Sequence, residues 1–196
     1  PPAGVAEAAR AAAGGSAGGS DVAGELASTL SLLPVSGAAL LAAPLCYICD
    51  GPVGVYRLYR SMHARYWCKL HALSPLGGRS PALPMLLKTF ETVLQELDPE
   101  VVAHVHALGT PVASLAAPWL HTAFSGRLAV EEVLLLWDRV LGLDSLLPLP
   151  LLAVAIMCFR RQVILTCQSH AELCASMSDI SQLQTVPLLQ AVLFQG

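Results

Sequence analysis

The sequence predicts an all-α fold, and three observations carry that expectation. Apolar residues recur at three- and four-residue spacing along most of the chain. Gly and Pro punctuate it at intervals that suit helices, while the β-branched alternation of strands is missing. Hydrophobic residues make up 55% of the 196 and charged residues only 13%, enough apolar material for one buried core and too much for a disordered chain.

Residues 1–20, with the run ARAAAGGSAGGS, offer nothing to pack and read as a linker or loop remnant, so a single domain over 21–196 is expected. Asp21 is placed to cap a helix to about Leu33, and a second apolar helix runs from Gly37 to Cys49, ending at Asp50-Gly51-Pro52. The next segment, Val53 to Leu73, is amphipathic. Val55, Tyr56, Tyr59, Met62, Tyr66, Trp67 and Leu70 share one arc, and Arg57, Arg60, Arg65 and Lys69 share the other. Such a basic stripe reads first as a solvated face, with Arg57 and Arg60 as candidate partner contacts.

After the loop SPLGGRSP a helix spans Leu83 to Leu97. Asp98-Pro99 then supplies an N-cap and a first-position proline for a helix through Leu108, which Gly109 stops. Val112 to Phe124 is a further helix, Ser125-Gly126-Arg127 a turn, and Val130 to Leu141 a helix with Glu131 and Glu132 at its positive dipole end. The last helices fall at about Pro150–Cys167, Ser169–Ser176 and Val186–Phe194.

Composition excludes some functions. A net charge of −3 gives no basic field to engage nucleic-acid phosphates. The mean hydropathy of +0.60 raises the question of a membrane span. The longest apolar run, Leu146 to Phe159, has 14 residues, short of the roughly 20 that cross a bilayer, and reads as a core helix. Six irregularly spaced cysteines do not make a disulfide scaffold, which favours a reducing, cytosolic setting. With no initiator Met and no signal-peptide pattern, the chain reads as an excised piece or the ordered part of something longer. Nucleotide-binding glycine loops, nucleophile elbows and metalloprotease helices are all missing, His104 and His106 fall on different helix faces, and no cofactor is expected.

One motif invites a metal. Cys46-x2-Cys49 followed by Cys68-x2-His71 has ligand types and a spacing that suit tetrahedral zinc. Structural zinc ligands usually sit on short loops of domains that lack a core, whereas these four lie on predicted helices. Buried structural thiols are the favoured reading, and a zinc-stapled module stays as an alternative.

The most informative stretch is Leu83 to Leu141. LLKTFETVLQELDPEVVAHVHALG, PWLHTAF and LAVEEVLLLWDRVLG together resemble the carboxyl-terminal half of a TBC domain, the helical module of Rab GTPase-activating proteins. The matching elements are Asp98-Pro99, Gly109, Pro118-Trp119 and Leu136-Trp137-Asp138, in the family's order. GAALLAAPLCYICD is similar to the family segment that follows its Tyr-x-Gln-Gly motif, and VGVYRLYRSMHARYW occupies the place of the next helix.

The resemblance implies an all-α regulator that binds a GTP-loaded Rab, in the cytoplasm, recruited to membranes by its partner in vesicle or ciliary traffic. It implies structural roles for Asp98, Pro99, Trp119, Trp137 and Asp138, with Asp138 meeting a helix end or an arginine. It also implies two catalytic groups, an Arg from Ile-x-x-Asp-x-x-Arg and a Gln from Tyr-x-Gln. Here the Tyr-x-Gln positions fall on Pro34, Val35 and Ser36, and the only arginine before the core is Arg10, in a flexible Ala/Gly context. Two explanations compete: a GTPase-binding relative without catalysis, or first-subdomain residues lying outside these 196, with Ser36 aligned across a gap. A helical scaffold that binds no nucleotide switch would show the same core pattern.

Overall fold

The computed structural model describes residues 34–70 and 82–193, and among these it contains ten α-helices, two 3-10 turns and no strand. The proposed linker 1–20, the helix expected from Asp21, the end of the helix expected to reach Leu73, the SPLGGRSP loop and Phe194 lie outside the described residues.

Helix α1 (Pro34–Ala42) does not run on to Cys49 as its apolar sequence predicts. It gives way to a 3-10 turn at Ala43–Tyr47. Pro44 brings no backbone N–H and disfavours the α conformation of the residue before it, so the α-helical ladder stops there. Helix α2 (Pro52–Arg65) opens on Pro52 at its first position. Its end at Tyr66 is followed by a second 3-10 turn, Trp67–Leu70, which drives Trp67 and Leu70 into the core.

Helix α3 (Ala82–Leu97) buries Leu83, Leu86, Leu87, Phe90 and Leu94, the i, i+3, i+4 stripe of an amphipathic helix. Helix α4 (Pro99–Ala107) begins with the Asp98 carboxylate accepting from the Val101 N–H at 3.2 Å. It ends at Gly109, whose φ of +71° is open to glycine and costly for other residues. There Thr110 N–H reaches the Val105 carbonyl, a Schellman closure. Helix α5 is Val112–His121 and α6 is Val130–Gly142.

Helix α7 (Pro148–Phe159) lies at the centre, packed against α3, α5 and α6. Leu149, Leu152, Val154, Ile156 and Met157 are fully buried, each such side chain contributing about 1.5–3 kcal/mol of transfer free energy. The chain's most apolar run is therefore enclosed by its own helices. Among the described residues no single helix is long and apolar enough to cross a membrane; α4 and α5 reach that length only together and are bent by 104° at their junction.

The helix predicted over Pro150–Cys167 is two helices, α7 and α8 (Arg161–Thr166), parted at Arg160. The break lets two adjacent arginines do different work. Arg160 donates to the carbonyls of Ser176 and Asp179 at the end of α9 (His170–Ser178), and Arg161 pairs with Asp98 at 2.9 Å and with Glu100, tying α8 to the start of α4. Ser169 and Glu172 cap the start of α9, Ser169 accepting from Glu172 N–H and Glu172 from Gln168 N–H. Helix α10 (Thr185–Leu193) closes over α7 and α6, its buried Thr185 donating N–H and hydroxyl to the Glu132 side chain and carbonyl.

Candidate functional site

Ser36, which the resemblance aligns with the family's glutamine, falls in the first turns of α1; its side chain lies outside the described residues. The turn after α5 fixes where α1 sits. Ala123, Phe124 and Gly126 all have positive φ, at 47°, 64° and 73°, and this reversal brings three groups into place. Ser125 Oγ donates to the Leu40 carbonyl of α1. Gly126 leaves no room for a Cβ, which would stand 2.9 Å from Leu40 Cδ2. The Ala123 carbonyl accepts from Trp137 Nε1 at 3.0 Å.

Trp137 is thus a clamp from α6 to that turn, and its ring also meets Trp67 at a centroid distance of 4.9 Å. Both tryptophans are buried; Trp67 Nε1 finds no acceptor among the described residues. Trp119 is buried and adjoins Phe124 at 6.1 Å. Asp98 is buried at the head of α4, with Pro99 at the helix's first position. Asp138 differs from its four companions. It is exposed on α6, and the helix end or arginine expected for it is not met among the described residues.

The face carried by the first 3-10 turn and the start of α2 is open. Ala42, Cys46, Cys49, Val55, Tyr56 and Tyr59 wall a groove of about 520 Å³. Tyr47, Ile48, Val53 and Tyr56 are each more than half exposed, from 56% to 71%. The arc predicted to face the core therefore does so only from Met62 onward, and its first two turns look outward with Arg57 and Arg60 exposed beside them. The periodicity of α2 was sound, but the burying partner extends along only half its length. Burial pushes the Tyr59 phenol above its ordinary pKa.

The thiols depart from expectation as well. Cys46 is exposed and Cys49 and Cys68 are half-buried, because the helix that would have buried the first two unwinds at Pro44. Cys68 Sγ contacts the Ala64 carbonyl at 3.4 Å. His71 lies outside the described residues, and among those described no three His, Cys, Asp or Glu side chains are grouped to hold a metal.

Arg65 also leaves its predicted role. It grips Asp144, just past the end of α6, through Nε–Oδ1 at 2.9 Å and Nη2–Oδ2 at 2.6 Å, and Tyr66 donates its hydroxyl to Oδ1 at 2.8 Å. These bonds hold the Asp144 carboxyl below its ordinary pKa, the guanidinium contributing most. Spacing gave no signal of this pairing, since the two residues are remote in sequence and Asp144 sits in an unremarked turn.

Comparison with known proteins places these features in a family. Residues 36–165 match the Rab-GTPase-TBC domain. Over 163 residues the chain is 36% identical to TBC1 domain family member 19 of Homo sapiens, covering 83% of this chain. The chain spans only 30% of the length of that relative. No solved structure matches it. With a helical core, a Pro-Trp helix and a Leu-Trp-Asp helix in register with a match that spans most of its length, the chain belongs to the Rab-GTPase-TBC domain family.

Proposed function

We propose that this chain binds a small GTPase of the Rab class in its GTP-loaded form and does not itself supply the two catalytic groups of the family. The observation that carries the reading is Ser36, which stands where the resemblance puts a glutamine, at the first residue of the stretch that matches the family. A serine hydroxyl is too short to bracket the attacking water that the glutamine amide holds in trans. The open face of the first 3-10 turn and the start of α2, with Tyr47, Ile48, Val53 and Tyr56 exposed and Arg57 and Arg60 alongside, suits a protein partner. In this reading residues 21–196 are the domain, 1–20 a linker, Asp98, Pro99, Trp119 and Trp137 act structurally, and the Rab recruits the protein from the cytoplasm to its membrane.

Single-turnover GTP hydrolysis by a panel of Rabs, with binding measured in the GTP and GDP states, tests this. The chain should bind at least one GTP-loaded Rab in preference to its GDP form without accelerating hydrolysis. A longer parent protein assayed beside it reads whether the missing groups lie elsewhere. Equal or absent binding in both nucleotide states across the panel would leave a helical scaffold as the reading, and acceleration by the chain itself would show that Ser36 is misassigned.

A further inference from the structure

Away from the α1–α2 face, three side chains meet where α9 begins. Thr110, only 1% exposed, directs its Oγ to His170 Nδ1 at 2.7 Å. One helical turn further on, the sulfur of Cys174 lies 3.4 Å from His170 Nε2 and 4.0 Å from Nδ1, alongside the ring and not in line with its lone pair. The buried hydroxyl fixes the imidazole, and the helix fixes the spacing of His170 and Cys174. An exposed sulfur is thereby held against an imidazole, the kind of neighbour that favours thiolate over thiol. Glu172, the nearest carboxylate in sequence, is turned away to accept from Gln168 N–H.

The other five cysteines lack this setting. Cys46 is exposed and, among the described residues, contacts the Ala42 carbonyl at 3.8 Å and no imidazole. Cys167 is buried, and desolvation pushes the half-buried Cys158 thiol up. Cys49 and Cys68 have no imidazole in contact among the described residues.

We infer that Cys174 is a modification site, a thiol activated by His170 and oxidised selectively by hydrogen peroxide. In the step, the thiolate sulfur attacks one peroxide oxygen. The S–O bond forms as the O–O bond breaks, and its electron pair leaves on hydroxide, which takes up the proton released by the thiol and departs as water. Sulfur is oxidised by two electrons to the sulfenic acid and the peroxide is reduced. Thr110 acts as a positioning residue through the ring it holds.

The test compares cysteines within one molecule. The chain is treated at neutral pH with iodoacetamide, and separately with hydrogen peroxide followed by dimedone, and each cysteine's labelling rate is read by mass spectrometry. Cys174 should react at least about five-fold faster than Cys46, which is also exposed. His170→Gln, which retains a hydrogen-bonding side chain but no cation, should bring the two rates within about two-fold, and Thr110→Val should give an intermediate ratio. Equal rates in the unsubstituted chain, or a ratio unchanged by His170→Gln, would overturn the assignment. Labelling of buried Cys167 in the same samples reads whether the variant has kept its fold, and His170→Asn serves if it has not.

Discussion

Arg65 and Asp144, 79 residues apart, form a two-pronged ion pair that joins the end of α2 to the residue just beyond α6. Asp144 holds this position with φ at +47°, where glycine is the usual occupant. The carboxylate is kept at a backbone site it does not favour, and the guanidinium and the Tyr66 hydroxyl offset that cost.

The pair makes a pH-dependent contribution whose sign follows from the Asp144 shift. Its carboxyl is held below its ordinary value in the folded chain, so the stabilisation is fully present above the unfolded value of about 3.9 and is lost as pH falls through the lower folded value. Asp144→Asn should lower Tm at pH 7, and the gap from the unsubstituted chain should close below about pH 4. Both side chains are more than half exposed, at 63% and 58%, so added salt should shrink the effect. Asp144→Gly, which relaxes the backbone, should cost less than Asp144→Ala. A gap in Tm that stayed constant from pH 7 to pH 2.5 would remove the carboxylate from the account.

Trp137 and Trp67 touch each other but should respond differently to substitution. Trp137→Phe leaves the Ala123 carbonyl without its donor and shrinks a buried ring, at a cost of about 2–4 kcal/mol. Trp67→Phe removes a buried N–H that meets no acceptor among the described residues, so the lost volume is partly offset. Urea midpoints should rank Trp137→Phe as clearly the weaker protein; the reverse order would mean that Trp67 Nε1 is satisfied after all.

Gly109 and Gly126, both left-handed, separate backbone strain from crowding. Gly109→Ala meets open space and should lose only the conformational penalty, about 1 kcal/mol. Gly126→Ala pays a similar penalty and also pushes a Cβ to 2.9 Å from Leu40 Cδ2, next to the Ser125 bond that seats α1. It should therefore destabilise more than Gly109→Ala in thermal melts, and equal losses would mean that Leu40 moves aside without cost.

What the sequence made legible was local. Asp98-Pro99 and Gly109 specify the two ends of α4 within a few residues, and the apolar run 146–159 announces a helix whose middle turns are buried. Leu136-Trp137-Asp138 and Pro118-Trp119 pointed to the family through order and spacing. Long-range pairing was hidden. Nothing near Arg65 names Asp144, and nothing near Thr110 names His170, because each contact depends on how helices pack and not on their periods. Cys46 and Cys49 were misread because an apolar stretch looks helical until Pro44 is weighed, and Arg160 divided a stretch whose apolar pattern runs on into α8.

Asp98 gathers a cap, a charge and burial in one side chain, which makes it the sharpest test of how α4 is anchored. Its carboxylate accepts from Val101 N–H at 3.2 Å and meets Arg161 Nε at 2.9 Å, and the side chain is only 9% exposed. Asp98→Ala removes the cap and leaves Arg161 with Glu100, the more exposed of its two partners, for a loss of about 2 kcal/mol from the cap and the charged hydrogen bond together. Asp98→Asn keeps an oxygen for Val101 and gives up the ionic part, so it should cost about half as much. Arg161→Ala on the Asn background should then add little, because the ionic contact it would break to residue 98 is already gone. A double-mutant cycle in urea reads this directly. Full additivity of Asp98→Asn and Arg161→Ala would mean that the contact seen between them contributes nothing to stability.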